Sequence, residues 1–95
     1  MKILAIEKEV EGVMPEQCSP HLKAEALRVW ELYQAGLIRE MYFQKDRALA
    51  VLILESTDLS AAFEALKTLP LVRAVLIAFD LIPLVAYPGL ARLFA

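Results

Sequence analysis

The chain has 95 residues, carries 10 Lys and Arg against 12 Asp and Glu for a net charge of −2, and is 59% apolar. Soluble domains typically hold roughly 45–50% apolar residues and run to about 100–150 residues, so this composition predicts one folded domain and excludes intrinsic disorder. The longest basic cluster is Lys45 and Arg47 around Asp46, which argues against nucleic acid as a partner, because phosphate binding needs clustered cations.

A single cysteine, Cys18, cannot form an internal disulfide and points to no oxidising compartment. The apolar run Ile3-Leu4-Ala5-Ile6 stops at Glu7, short of the roughly 7–15 residues of a secretory signal. The oiliest stretch, Leu71 to Ala86, is broken by Arg73, Asp80 and Pro83, whereas a membrane span takes about 20 largely uncharged residues. These features predict a soluble cytoplasmic protein with no membrane partner.

Residues 2–10 read as a strand, and Glu11 to Ser19, with Gly12 and Pro15, as a loop. Ser19-Pro20 supplies a helix start, with serine as the cap and proline at the first helical position. Leu22, Ala26, Val29, Trp30 and Tyr33 follow at helical spacing, which predicts a helix over 20–35 with Trp30 and Tyr33 in the core. Gly36 sits where a left-handed cap belongs. Leu37–Phe43 and Ala48–Glu55 read as two strands joined by the polar residues 44–47. Thr57-Asp58 can cap a second helix bearing Leu59, Ala62, Phe63, Leu66 and Leu69, which Pro70 ends. Val72 to Leu84 reads as the last strand, and the segment from Tyr87 onward is too apolar to be left in water. The order βαββαβ is that of a ferredoxin-like α+β fold, with a four-stranded antiparallel sheet ordered 4-1-3-2 and both helices on one face.

An antiparallel sheet with one wet face alternates apolar with polar residues. These strands do not alternate. Val75, Ile77, Phe79 and Leu81 form one register, while Leu76, Ala78 and Ile82 form the other, interrupted only by Asp80. Ala50, Leu52 and Leu54 likewise oppose Leu49, Val51 and Ile53. Two helices cover one face. Burying the other is worth on the order of 10–20 kcal/mol per protomer before entropy losses. A two-fold homodimer, sheet on sheet, is the simplest cover, and the apolar segment 85–95 folding onto the sheet or onto a partner subunit is the alternative.

The order of elements, Gly36-Leu37-Ile38-Arg39 before the second strand, Leu69-Pro70-Leu71 closing the second helix, and Pro88 after the last strand resemble muconolactone δ-isomerase and its relatives among the dimeric α/β-barrel proteins. That resemblance covers about residues 23–88. It implies a dimeric α/β barrel, further assembly into a ring such as the isomerase's decamer, a small acidic lactone as ligand, and a cofactor-free proton shift between carbons. Ala86-Tyr87 stand where the isomerase carries a basic residue and a histidine, which bears on how a dicarboxylate-like lactone is held.

Asp80 interrupts an apolar strand, and a buried carboxylate must be paired, hydrogen-bonded or protonated. It reads either as an acid or base inside the barrel or as a structural pair near water. Moving a proton along a lactone needs one base and a donor or cation for the developing enolate. Glu40 or Asp80 supplies the base in this reading, with Arg39 or Tyr42 stabilising the oxyanion and Glu7 nearby on the first strand; the alternative is rim charges and a structural tyrosine. His21 is the only histidine and lies at a helix start, where the helix dipole favours its neutral form. Cys18 and His21 give two ligands and fall short of a metal site, so no metal and no cofactor are expected. A ligand-sensing or assembly module on the same barrel competes with the isomerase reading, and a haem- or quinone-linked monooxygenase is disfavoured by the position of His21.

Overall fold

The computed structural model describes residues 1–95. Strand β1 (Lys2–Glu9) leads through a short helix α1 (Pro15–Cys18) and a 3-10 turn (Ser19–His21) into helix α2 (Leu22–Gln34). Strands β2 (Ile38–Phe43) and β3 (Ala50–Glu55) follow, then helices α3 (Leu59–Leu66) and α4 (Pro70–Arg73), strand β4 (Ile77–Leu84) and a 3-10 segment over Gly89–Phe94. The sheet is fully antiparallel in the order β2-β3-β1-β4, as the sequence predicts. The fold is the ferredoxin-like α+β arrangement.

Registration of the strands separates the two faces. Ile3, Ala5, Leu52, Leu54 and Ile38 point to the helices and pack with Leu32, Ala62, Leu66 and Leu69 in one core. The opposite parity forms an open face. Across it run the rows Tyr42, Val51, Ile6, Asp80 and Glu40, Ile53, Leu4, Ile82. A bulge at Arg39 shifts the β2–β3 register and sets Glu40 and Tyr42 on the open side.

Several local features differ from the sequence reading. The loop at 11–19 contains α1, and Ser19 does not cap α2: its hydroxyl donates to the Pro15 carbonyl (3.3 Å), and His21 is the residue before the first helical turn, with no side-chain cap. The two-residue longer β-hairpin connection, 44–49, arises because Leu49 turns inward and is buried. Pro70 opens α4 instead of merely ending α3, and β4 therefore begins at Ile77. Trp30 and Tyr33 are not core residues. They are 52% and 44% exposed, stacked on each other on the outer side of α2 (ring centroids 5.8 Å apart).

The rotation of α2 has a polar cause. Its inner face presents Val29 and Leu32 to the core, and it also turns in Glu25 and Arg28. A Glu25 carboxylate oxygen accepts from the Leu71 backbone N–H (2.9 Å), and Arg28 Nε donates to Thr68 Oγ1 (2.8 Å). The first N–H groups of α4 have no intrahelical partner, so Glu25 satisfies from a neighbouring helix what α4 cannot satisfy itself. Gly36 has φ +84, and the bonds Leu37 N–H to Leu32 O (3.0 Å) and Gly36 N–H to Tyr33 O (3.1 Å) close α2 in a Schellman motif. Asp58 caps α3 by accepting from Ala61 N–H (2.7 Å).

Candidate functional site

The predicted site residues fall into three places. Asp80, Glu40 and Tyr42 lie on the open sheet face, Glu7 and His21 lie on the helix side, and Arg39 sits at the bulge, where its Nε donates to the Gly36 carbonyl (2.7 Å). Arg39 also lines a shallow pocket of about 570 Å³ with Glu55, Ser56 and Thr57, away from Asp80.

On the open face Asp80 pairs with Lys8, Nζ to Oδ1 at 2.9 Å, and both side chains are more than half exposed in the single chain. The two belong to adjacent strands: Lys8 stands opposite Ala78, and Asp80 opposite Ile6. A carboxylate and an ammonium therefore stand together beside Ile6, Val51 and Leu4. At the other edge, the Tyr42 hydroxyl donates to Glu40 Oε1 (2.6 Å). Donating to a carboxylate, with that carboxylate's charge next to it, raises the phenol above its usual range. The two pairs sit on opposite edge strands, three strand spacings apart, on the order of 14 Å. Within one chain they cannot act on the same carbon.

Under the helices, Glu7 extends the β1–β3 ladder by one bond, its carboxylate accepting from Ala50 N–H (2.9 Å). Burial raises its pKa, opposed by that hydrogen bond and reinforced by the charge of Glu9. Glu25 behaves likewise. Burial raises it, the bond from Leu71 N–H opposes, the charge of Glu7 adds to the rise, and that of His21 lowers it. Glu7, Glu25 and His21 thus feel one another between the sheet and α2. Cys18 and His21 gain no third ligand, since no three His, Cys, Asp or Glu side chains gather as they would around a metal ion.

Lys8 and Glu25 are the residues that sequence reasoning missed. A lysine near the end of a strand reads as a solvated charge, and its pairing with Asp80, 72 positions away, becomes visible only from the register. Glu25 lies between the apolar positions of a helix and looks like an outward charge. The signal that could have found it is the proline at 70, which announces a new helix start needing an external acceptor.

No protein-family model matches the sequence, and no curated protein matches it. No helix is long and apolar enough to cross a membrane. Among solved structures, the fold is similar to a crystal structure of muconolactone isomerase, with a TM-score of 0.73 at 15% identity over 94% of this chain and 93% of that one. The sheet order, the two-sided strands and this likeness together identify the architecture as the ferredoxin-like fold that muconolactone isomerase also adopts.

Proposed function

We propose that two copies of this chain pair through their open sheet faces into an α/β barrel that binds a small organic acid or lactone and shifts a proton on it without a cofactor. The observation that carries the reading is the Lys8–Asp80 pair, 2.9 Å apart, on a face otherwise built from Leu4, Ile6, Val51 and Ile53. A barrel interior of that kind excludes water and strengthens every charge left inside it. Lys8 is the cation suited to a ligand carboxylate, and it replaces the basic residue that Ala86-Tyr87 do not supply. Asp80 is the base: its carboxylate takes a proton from the carbon next to the lactone carbonyl, and the resulting enolate oxygen is stabilised by a donor. The same proton is then returned to a carbon further along, the double bond moves, and no oxidant or reductant is used. Tyr42 can serve as that donor only if the two-fold brings the β2 edge of a second copy over the β4 edge of the first.

The likeness to muconolactone isomerase supports the fold on which this chemistry is set. The exposed Trp30 and Tyr33 on the outer side of α2 supply a further apolar surface, which assembly of dimers into a ring needs. The separation of the two acid pairs within one chain favours the competing reading, a ligand-sensing or assembly module.

The test has two measurements. Sedimentation at micromolar concentration is expected to give two chains for the wild type and one for Ile53→Glu. Proton exchange into candidate lactones, followed by NMR, is expected with the wild type and is expected to drop at least 100-fold with Asp80→Asn, within the range of general acid–base contributions. Ligand binding without exchange on any lactone supports the sensing module and removes the enzyme.

A further inference from the structure

The segment Val85–Ala95 leaves β4 with its large side chains in water: Val85 is 92% exposed, Tyr87 72%, Leu90 63%, Leu93 75% and Phe94 88%. It stands off the body, and the radius of gyration is 15.4 Å, against about 12 Å for a compact domain of this length. Six of its residues form a 3-10 helix, which has no core of its own and is stable only when docked.

The same molecule has an unfilled apolar groove. Between α3 and the edge strand β4, a cleft of about 540 Å³ is lined by Leu59, Phe63, Val72, Val75, Ile77 and Phe79, with Lys67 at the rim. Phe63 and Leu59, on the predicted apolar stripe of α3, are 49% and 39% exposed here. Val75 adds an independent observation. It is the one non-glycine residue with positive φ (+59), a β-branched side chain held in the left-handed region and 68% exposed over the groove. Such a conformation costs about 1–2 kcal/mol. Strain of this kind persists mostly where the residue serves a site.

We infer that the segment Val85–Ala95 of one copy docks in the α3–β4 groove of a second copy. The inference rests on the two-copy assembly proposed above. Length and direction fit. From Leu84, four extended residues and a six-residue 3-10 helix reach about 25 Å, and β4 from Leu84 back to Ile77 spans about 23 Å. A second copy whose β4 runs antiparallel therefore presents the Val75–Ile77 mouth of its groove to the arriving segment, whereas docking on the segment's own groove needs a full reversal of the chain. The area fits as well. Five side chains that each lose about 100 Å² remove about 500 Å² per segment. Counting the groove walls and both segments, the total is about 2,000 Å², which is what a stable specific interface buries.

The experiment uses the full chain with Cys18→Ser, carrying either Leu93→Cys or Val75→Cys. Equal parts of the two variants are refolded together and oxidised. A mixed disulfide dimer is expected, in clear excess over the like-with-like dimers, and a chain stopped after Ala86 is expected to dimerise with a Kd at least tenfold weaker. A Leu93→Cys, Val75→Cys double variant that closes its disulfide within one chain overturns the inference in favour of self-docking. A two-chain mass with no mixed disulfide also overturns it, and leaves the sheet-face pairing standing. A one-chain mass for the intact protein removes the pairing and this inference together.

Discussion

At the residue scale, two side chains carry strain or charge that the fold imposes on them. Val75 occupies a backbone region suited to Gly or Asn (φ +59). Val75→Asn in a chain stopped after Ala86 is expected to gain about 1 kcal/mol, because the left-handed penalty is relieved; the urea midpoint measures it, and an unchanged midpoint refutes the strain. Glu25 is set the other way, by burial. Its folded pKa lies above the ordinary 4.5, so above that pH the folded chain retains protons that the unfolded chain has lost. Stability therefore falls as pH rises from about 4.5 through the raised value. Glu25→Gln keeps an oxygen for the Leu71 N–H and removes that slope. The variant is expected to melt a few degrees above wild type at neutral pH and level with it near about pH 3.5, where both carboxyls are protonated. Glu25→Ala instead orphans the N–H and costs about 1 kcal/mol at both pH values.

At the scale of elements, the helix ends were readable and the helix faces were not. Gly36 was placed from its position after the apolar stripe, and its φ of +84 is why Gly36→Ala is expected to cost about 1 kcal/mol by thermal melting. Asp58→Ala is expected to cost a similar amount, about 1 kcal/mol, through the lost bond to Ala61 N–H (2.7 Å). Helix α2, by contrast, carries two overlapping apolar stripes. Periodicity shows that a stripe exists and cannot tell which one meets the sheet. The choice fell to Glu25 and Arg28, whose partners Leu71 and Thr68 lie more than 35 residues downstream, so that Trp30 and Tyr33 were turned outward.

At the scale of the whole molecule, the open face brings Lys8 and Asp80 together across strands that are distant in sequence. As a largely exposed ion pair it contributes at most about 1 kcal/mol to stability, so Lys8→Met is expected to leave the melting temperature nearly unchanged. In the proposed barrel the same substitution removes the cation that meets a ligand carboxylate. A thermal-shift series with small organic acids is then expected to lose its response in Lys8→Met, while the dimer mass stays intact. A full response in the variant places the acid elsewhere.

The sequence by itself determined the βαββαβ order, the strand pairing and the presence of a second apolar sheet face. Each of these follows from local periodicity, turn residues and the parity of side chains along a strand. Only the tertiary structure decided which face of α2 is buried, that Arg39 stands apart from Asp80, that Lys8 is its partner, and that Leu59 and Phe63 line a groove. Those facts depend on register and on backbone groups seeking acceptors across long sequence distances, and no window along the chain contains both members of such a pair.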